Sequence, residues 1–414
     1  MTDLLRFATA GSVDDGKSTL IGRLLFDAKA VLADQLEHVE DVSSRRGGGD
    51  LDLALLTDGL RAEREQGITI DVAYRYFATP RRRFIIADTP GHAQYTRNMV
   101  TGASTADLAL ILIDVRHGMT EQSRRHATIA HLLGIRHLTV TVNKMDLVDY
   151  AEDAFDAVVR EFLDFAALLG VTDVDFIPIS ALRGDNVVDR SANMPWYDGE
   201  ALLEHLESVP TSVPPSDQPA RLPVQLVIRP GTDGRAVDRR YAGRLEAGVL
   251  RNGEEILVLP SGARARITRI EGPDGELQEA VAGLSLAICL DRELDIARGN
   301  MITHIDDAPT PTRELEATVC WLGDRPAQAG DRVVLKHTTR TVRAKIESIP
   351  ELLDVITLES APADQLSLNE IGRVRLRLGE EVMADPYERV RSTGAFILID
   401  EATNDTVGAG MVAG

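Results

Sequence analysis

Residues Gly11-Ser12-Val13-Asp14-Asp15-Gly16-Lys17-Ser18 fit the pattern G-x-x-x-x-G-K-[S/T]. The apolar-rich run Leu4 to Ala10 precedes them, and Leu20-Ile21-Gly22-Arg23-Leu24-Leu25, apolar at helical spacing, comes directly after. Strand, loop and helix in that order commit the start of the chain to an α/β sheet whose first loop faces a polyphosphate. Backbone N–H groups reach phosphate oxygens only if side chains are excluded at Gly11 and Gly16. Lys17 then places a charge between the outer phosphates, and Ser18, followed by Thr19, offers a hydroxyl to magnesium. The competing reading, an ordinary glycine-containing turn, is weakened by the motifs at the ends of later strands.

From Leu4 to about Pro210, short β-rich runs alternate with helical stretches, the signature of a mostly parallel sheet covered on both faces. The clearest strands are Phe84 to Ala87, Leu108 to Val115, His137 to Val142 and Phe176 to Ile179, each ending at a segment with chemistry to offer. After the first comes Asp88-Thr89-Pro90-Gly91-His92: Asp88 can support a magnesium shell, Gly91 lets its N–H approach the terminal phosphate, and His92 is placed to orient the attacking water. Asn143-Lys144-Met145-Asp146 ends another strand. In that arrangement the Asp146 carboxylate accepts from the N1–H and amino group of guanine, a pair adenine lacks. Ser180-Ala181-Leu182 closes the next, where a backbone N–H can meet the guanine oxygen. Four such pieces in order specify GTP.

Between the first helix and the Phe84 strand lies an insertion carrying Arg45-Arg46-Gly47-Gly48-Gly49-Asp50, read as a mobile loop, then a helix-like stretch from Leu51 to Glu65. It ends in Arg64-Glu65-Gln66-Gly67-Ile68-Thr69-Ile70, where the Thr69 hydroxyl and N–H could close over magnesium and the terminal phosphate.

Lys and Arg total 45 against 65 Asp and Glu, a net charge of -20. Such a chain is repelled by nucleic-acid backbones and anionic membranes, and neither is expected as a partner. Cys289 and Cys320 lack metal-site spacing and read as small buried apolar residues in a reducing cytoplasm. The first residues lead straight into a strand, so no signal peptide is expected, and the run Leu108 to Ile113 is too short to span a bilayer.

Pro210 to Pro219 reads as a linker. Beyond it, Val224 to Ile228, Tyr241 to Leu245, Glu255 to Leu259 and Ala265 to Ile270 alternate between glycine turns, predicting a small β-barrel. A break near Ala308 to Thr312 precedes a second barrel, with strands at Glu316 to Trp321, Asp331 to Leu335, Thr341 to Ile346, Val374 to Leu378 and Phe396 to Asp400. The expected domains are 1–212 for GTP binding, 220–307 for the first barrel and 312–414 for the second.

This arrangement resembles the translation elongation factor superfamily along the whole chain. Within it the sequence is most similar to the large, GTP-binding subunit family of heteromeric bacterial sulfate adenylyltransferase (ATP sulfurylase). The discriminating stretches are Gly11 to Leu25, Leu51 to Leu56 with Asp58-Gly59-Leu60, Phe84 to Thr101, Asn193-Met194-Pro195-Trp196-Tyr197 and Thr406 to Met411. Translation factors usually carry His where this chain has Asp15. A carboxylate there is unfavourable unless it faces away or meets a cation. The resemblance implies a GTPase that, with magnesium as cofactor, drives ATP and sulfate to adenosine 5'-phosphosulfate and pyrophosphate, the adenylyl transfer lying on a separate small catalytic subunit. A mixed phosphate and sulfate anhydride is less stable than the phosphoanhydride consumed, so a second hydrolysis is needed to move the reaction forward. It further implies that Val13 and Ile68 flank His92 as an apolar gate, although simple packing would place them equally well. Some relatives append an adenylylsulfate kinase domain; with one phosphate loop here, that activity is not expected on this polypeptide. The alternative is a translation-factor GTPase delivering aminoacyl-tRNA or acting in release at the ribosome. It shares every nucleotide motif, and the net charge and Asp15 count against it.

Overall fold

A computed structural model describes residues 3–12, 14–29, 53, 72–91, 96–210, 215–229 and 239–414. The chain divides into two compact units, one of residues 1–212 with 355–358, the other of residues 213–354 with 359–414.

In the first unit, β1 (Asp3–Ala10), β2 (Ala73–Ala78), β3 (Arg82–Asp88), β4 (Leu108–Asp114), β5 (His137–Asn143) and β6 (Val174–Pro178) form one sheet in the order β2-β3-β1-β4-β5-β6. All neighbours run parallel except β2, which pairs antiparallel with β3. The β2 strand agrees with the plainer reading of the insertion's end, a surface loop followed by a strand. Its burial alternates, with Phe77 stacked on Phe84 at 4.5 Å and Tyr76 exposed, as suits one covered face. By contrast β4 is buried at every position because helices cover both its faces. The helices of this unit are α1 (Lys17–Asp27), α2 (Thr96–Ala103), α3 (Glu121–Leu132), α4 (Glu152–Leu169) and α5 (Leu202–Ser208). Leu20, Ile21 and Leu24 of α1 and Leu202 and Leu206 of α5 pack with Leu5, Phe7, Phe84 and Leu110 in one core.

The second unit holds two closed barrels. Strands β7 (Arg221–Ile228), β8 (Arg240–Arg244), β9 (Glu255–Leu259), β10 (Ala263–Gly272), β11 (Ser285–Leu290) and β12 (Met301–His304) run in the order β9-β12-β7-β8-β11-β10, and β9 pairs with β10 to close the circle. Strands β13 (Thr312–Trp321), β14 (Arg332–His337), β15 (Arg340–Leu353), β16 (Ile371–Val382), β17 (Ala395–Ile399) and β18 (Thr406–Val412) run β14-β17-β18-β13-β16-β15, closed by β14 on β15. Closure removes the sheet edges that would otherwise template aggregation. Each barrel fills its own apolar core.

Between the barrels, Arg221 and Asp385 form a buried bidentate ion pair, with Nε to Oδ2 at 2.8 Å and Nη2 to Oδ1 at 2.7 Å. Arg221 Nη1 donates to Thr303 Oγ1 and to the carbonyls of Ala220 and Asp307. The Thr393 hydroxyl donates to Asp385 Oδ2 at 2.6 Å. Every guanidinium nitrogen thus has a partner, which a fully desolvated arginine requires. Cys289 and Cys320 are buried, unbridged thiols. Among the described residues no helix is long and apolar enough to cross a membrane.

Candidate nucleotide site

The carboxyl ends of β1, β3, β5 and β6 bring the sequence motifs together, where ligands gather in parallel α/β sheets. The phosphate loop leaves β1 at Gly11 and enters α1 at Lys17, with Gly16 as the N-cap at φ 93°. A β-carbon on Gly16 would stand 2.6 Å from Asn143 Nδ2, so both conformation and space demand glycine. Ser18 and Thr19 are half-buried in the first turn of α1.

Lys17 is buried, and its Nζ donates to the carbonyls of Gly11 at 2.7 Å and Ser12 at 3.0 Å. Burial pulls the amine below its ordinary pKa, while Asp88, Asp15 and Asp14 oppose the shift. A desolvated ammonium framed by loop carbonyls is a strong attractor for an anion.

Asp88, at the end of β3, is buried and accepts from the Thr9 hydroxyl at 3.2 Å. The Thr89 hydroxyl donates to the carbonyl of Thr9 at 2.5 Å, drawing the next turn against β1. Pro90 is also buried, and Gly91 abuts the phosphate loop: a β-carbon there would lie 2.4 Å from Lys17 Nζ and 2.5 Å from the Gly11 carbonyl. Val13, Ile68, Thr69 and His92 lie outside the described residues, as do the loop around Arg45 to Asp50 and nearly all of Leu51 to Glu65.

Asn143 joins the phosphate and base loops. Its Nδ2 donates to the carbonyl of Asp15 at 2.7 Å, and its Oδ1 accepts from the N–H of Lys144 at 2.8 Å and of Ala181 at 3.0 Å. Lys144, in the left-handed region at φ 66°, sends Nζ to the carbonyl of Asp14. Met145 is fully buried beneath the loop. Asp146 is partly exposed, and its Oδ1 accepts from the Ser180 hydroxyl at 2.7 Å, so the segments Asn143 to Asp146 and Ser180 to Leu182 are tied directly. The structure therefore brings together Gly11, Ser12, Asp14 to Thr19, Asp88 to Gly91, Asn143 to Asp146 and Ser180 to Leu182.

Asp15 does not face solvent, and among the described residues no cation bonds it directly, although the charge of Lys17 acts on it. It is buried, and its Oδ2 accepts the backbone N–H of Ser12 at 2.5 Å, closing the loop on itself. Burial raises its pKa, with the Ser12 N–H acting against the shift. The Ser12 hydroxyl bonds Thr120 Oγ1 at 2.8 Å, and Thr120 caps α3 through the N–H of Ser123.

Three residues the motifs did not flag also build the site. Asp114, buried at the end of β4, holds Arg116 through two bonds of 3.0 and 2.6 Å and pairs with Lys144 Nζ at 2.9 Å. Burial alone would raise the Asp114 carboxyl, but these cations hold it well below the usual range. Arg23 donates to the carbonyls of Ala181 at 3.3 Å and Leu182 at 2.6 Å, fastening α1 to the base loop. A lone Asp at a strand end and an Arg on a helix carry no spacing signal.

Magnesium is tested by the donor set. Among the described residues no three His, Cys, Asp or Glu side chains gather as a metal cage. A serine hydroxyl in the first turn of α1 and a carboxylate at a strand end are hard oxygen donors, and magnesium keeps several waters rather than demanding a full protein cage. The residues fit the ion.

Residues 2–215 match the elongation factor Tu GTP binding domain, and residues 314–413 the GTP-eEF1A C-terminal domain-like family. The class is thus an elongation-factor-type GTP-binding domain followed by β-barrels. The bifunctional enzyme CysN/CysC of Mycobacterium tuberculosis H37Rv is 58% identical over 414 residues, covering 100% of this chain and 67% of that protein. Sulfate adenylyltransferase subunit 1 of Tolumonas auensis is 52% identical over 411 residues, covering 99% of this chain and 86% of that protein. That of Bacteroides fragilis is 50% identical over 412 residues, with the same two shares, 99% and 86%. The solved structure of sup35 complexed with GDP is 24% identical, with a TM-score of 0.45 and coverage of 100% and 94%. The chain belongs to the sulfate adenylyltransferase subunit 1 family.

Proposed function

We infer that this chain is the GTPase subunit of a heteromeric ATP sulfurylase, in which GTP hydrolysis drives ATP and sulfate to adenosine 5'-phosphosulfate and pyrophosphate. Supporting the sulfurylase assignment is identity of 50 to 58% across essentially the whole chain to subunit 1 and CysN/CysC proteins. The observation that carries the GTPase reading is Asn143, whose one side chain bonds both the phosphate loop and the base loop.

In this reading Lys17 and the loop N–H groups hold the outer phosphates, Gly91 admits its N–H to the terminal phosphate, and Asp146 with Ser180 to Leu182 reads guanine. His92 orients water in line with the terminal phosphorus. A P–O bond forms to that water as the bond to GDP breaks, leaving GDP and inorganic phosphate. Ser18, Thr69 and Asp88 would hold magnesium, which neutralises charge on the phosphates. Preorganised positive groups are worth most where water is excluded, which suits the burial of Lys17.

The adenylyl transfer belongs to a separate small catalytic subunit, the partner we propose for this chain. The segment from about Asp27 to Ile70 is proposed as part of the contact, in a cytoplasmic assembly without nucleic acid or membrane. Domain limits of 1–212, 220–307 and 312–414 go with this reading.

The deciding experiment is GTP turnover by the full chain. Stimulation by the small sulfurylase subunit with ATP and sulfate is expected. Stimulation by ribosomes alone would overturn the assignment in favour of a translation factor.

A further inference from the structure

The stretch Asn193 to Tyr197 marks the family yet holds none of the chemistry assigned above. It lies behind the two segments that read the base. At their front, Ser180 bonds Asp146. At their back, the Tyr150 hydroxyl donates to Asp185 Oδ2 at 2.8 Å. Asp185 Oδ1 accepts from Ser191 Oγ at 2.6 Å and Asn193 Nδ2 at 3.0 Å. Trp196 Nε1 donates to the carbonyl of Tyr150 at 2.9 Å, and its ring leans on Phe155 with centroids 5.4 Å apart.

Main-chain bonds carry these ties forward. The N–H of Tyr150 donates to the carbonyl of Met145 at 2.9 Å, and the N–H of Ser180 to the carbonyl of Asp185 at 3.1 Å. Tyr150 is thus fastened beside Asp146, and Asp185 beside Ser180. Asp149 and Tyr150 both sit in the left-handed region, at φ 52° and 57°, without being glycine. Such a conformation is strained for a residue with a side chain and persists only where its surroundings over-determine it. Here the surroundings are Trp196, Asp185 and the Met145 carbonyl.

We propose that Tyr150, Asp185 and Trp196 form a clamp that sets guanine selectivity, positioning Asp146 relative to Ser180 so that its carboxylate spans the N1–H and 2-amino groups of guanine. The proposal deepens the nucleotide site described above and rests on its guanine reading. None of the three belongs to the nucleotide motifs themselves. A loosened clamp lets Asp146 drift, and a displaced carboxylate no longer spans both donors at once.

Inosine lacks the 2-amino group, so loosening costs guanine nucleotides more than inosine nucleotides. The test measures equilibrium binding of GDP, inosine diphosphate and ADP to the full chain, its Tyr150→Phe variant and its Asp185→Asn variant. The wild type is expected to prefer GDP over inosine diphosphate, and each variant to lose about five- to tenfold of that ratio, the order of one imperfect hydrogen bond. A ratio within twofold of wild type in the variants would overturn the clamp, even if their melting temperatures fall, because ordinary packing damage does not distinguish the two bases. If Asp185→Asn does not fold, Tyr150→Phe decides alone, since it removes a single oxygen and keeps the ring. Failure of the wild type to prefer GDP over ADP would instead undo the guanine reading itself.

Discussion

Lys144 Nζ lies 2.9 Å from Asp114 Oδ2, joining the ends of two neighbouring parallel strands. The same ammonium reaches the carbonyl of Asp14 in the phosphate loop. One lysine therefore spans the strand that ends at Asp114, the strand before the base motif and the loop around the phosphates. Its position depends on a carboxylate outside every recognised motif.

Asp114→Asn should release both Lys144 and Arg116 from their shared partner. We expect GDP and GTP affinity to fall about tenfold, equivalent to about 1.4 kcal/mol, with faster GDP dissociation in stopped-flow measurements. Dissociation at the wild-type rate would show that Lys144 needs no such support.

Gly91→Ala should reduce GTP hydrolysis at least tenfold. The added carbon would fall within 2.4 Å of Lys17 Nζ and 2.5 Å of backbone, and backbone cannot step aside as a side-chain tip can. Single-turnover hydrolysis measures this directly, and wild-type rates would contradict the close packing of Gly91 on the phosphate loop.

Asp385→Ala leaves the Arg221 guanidinium buried and unpaired, which typically costs about 3–5 kcal/mol. Denaturant unfolding should show that loss, whereas the double change Arg221→Met with Asp385→Leu should recover much of it. Equal loss in the single and double variants would mean that packing, rather than the stranded charge, sets the cost.

His126 supplies a pH signature. It is 1% exposed, its Nδ1 has no hydrogen-bond partner among the described residues, and burial followed by the charges of Lys17 and Arg125 pushes its pKa down to about 3 from 6.5. The unfolded chain takes up this proton below pH 6.5 and the folded one does not, so stability is complete above that pH and drains as the pH falls toward 3. The loss amounts to several kcal/mol on the order of 1.4 per pH unit. Unfolding of wild type and His126→Leu from pH 7 to 4 should show a steeper decline in the wild type; parallel curves would refute it.

Much of this site is legible in sequence because parallel sheets place chemistry at strand ends, and the motifs at Gly11, Asp88, Asn143 and Ser180 each come after an apolar run. The β2 strand gives less away, since Ala73 to Ala78 lies beyond a long insertion and its antiparallel pairing needs no motif. Two barrel strands are faint in sequence for different reasons: Met301 to His304 is only four residues long, and Thr406 to Val412 carries two glycines, which lower strand propensity. Asp15 is visible as an oddity, but its purpose depends on the Ser12 N–H, which only the folded loop presents to it. Tyr150 and Asp185 stand 35 positions apart, and nothing in either neighbourhood announces the bond.

The buried pair of Arg221 and Asp385 also bears on how such a chain can be cut and recombined. A chimera joined near Ala308 to Thr312, taking one barrel from this protein and the other from a relative lacking the matching partner, would strand a full charge in a dry interior. The two barrels are thus to be swapped or engineered as a pair, and any grafting experiment must carry both halves of that bond across the splice.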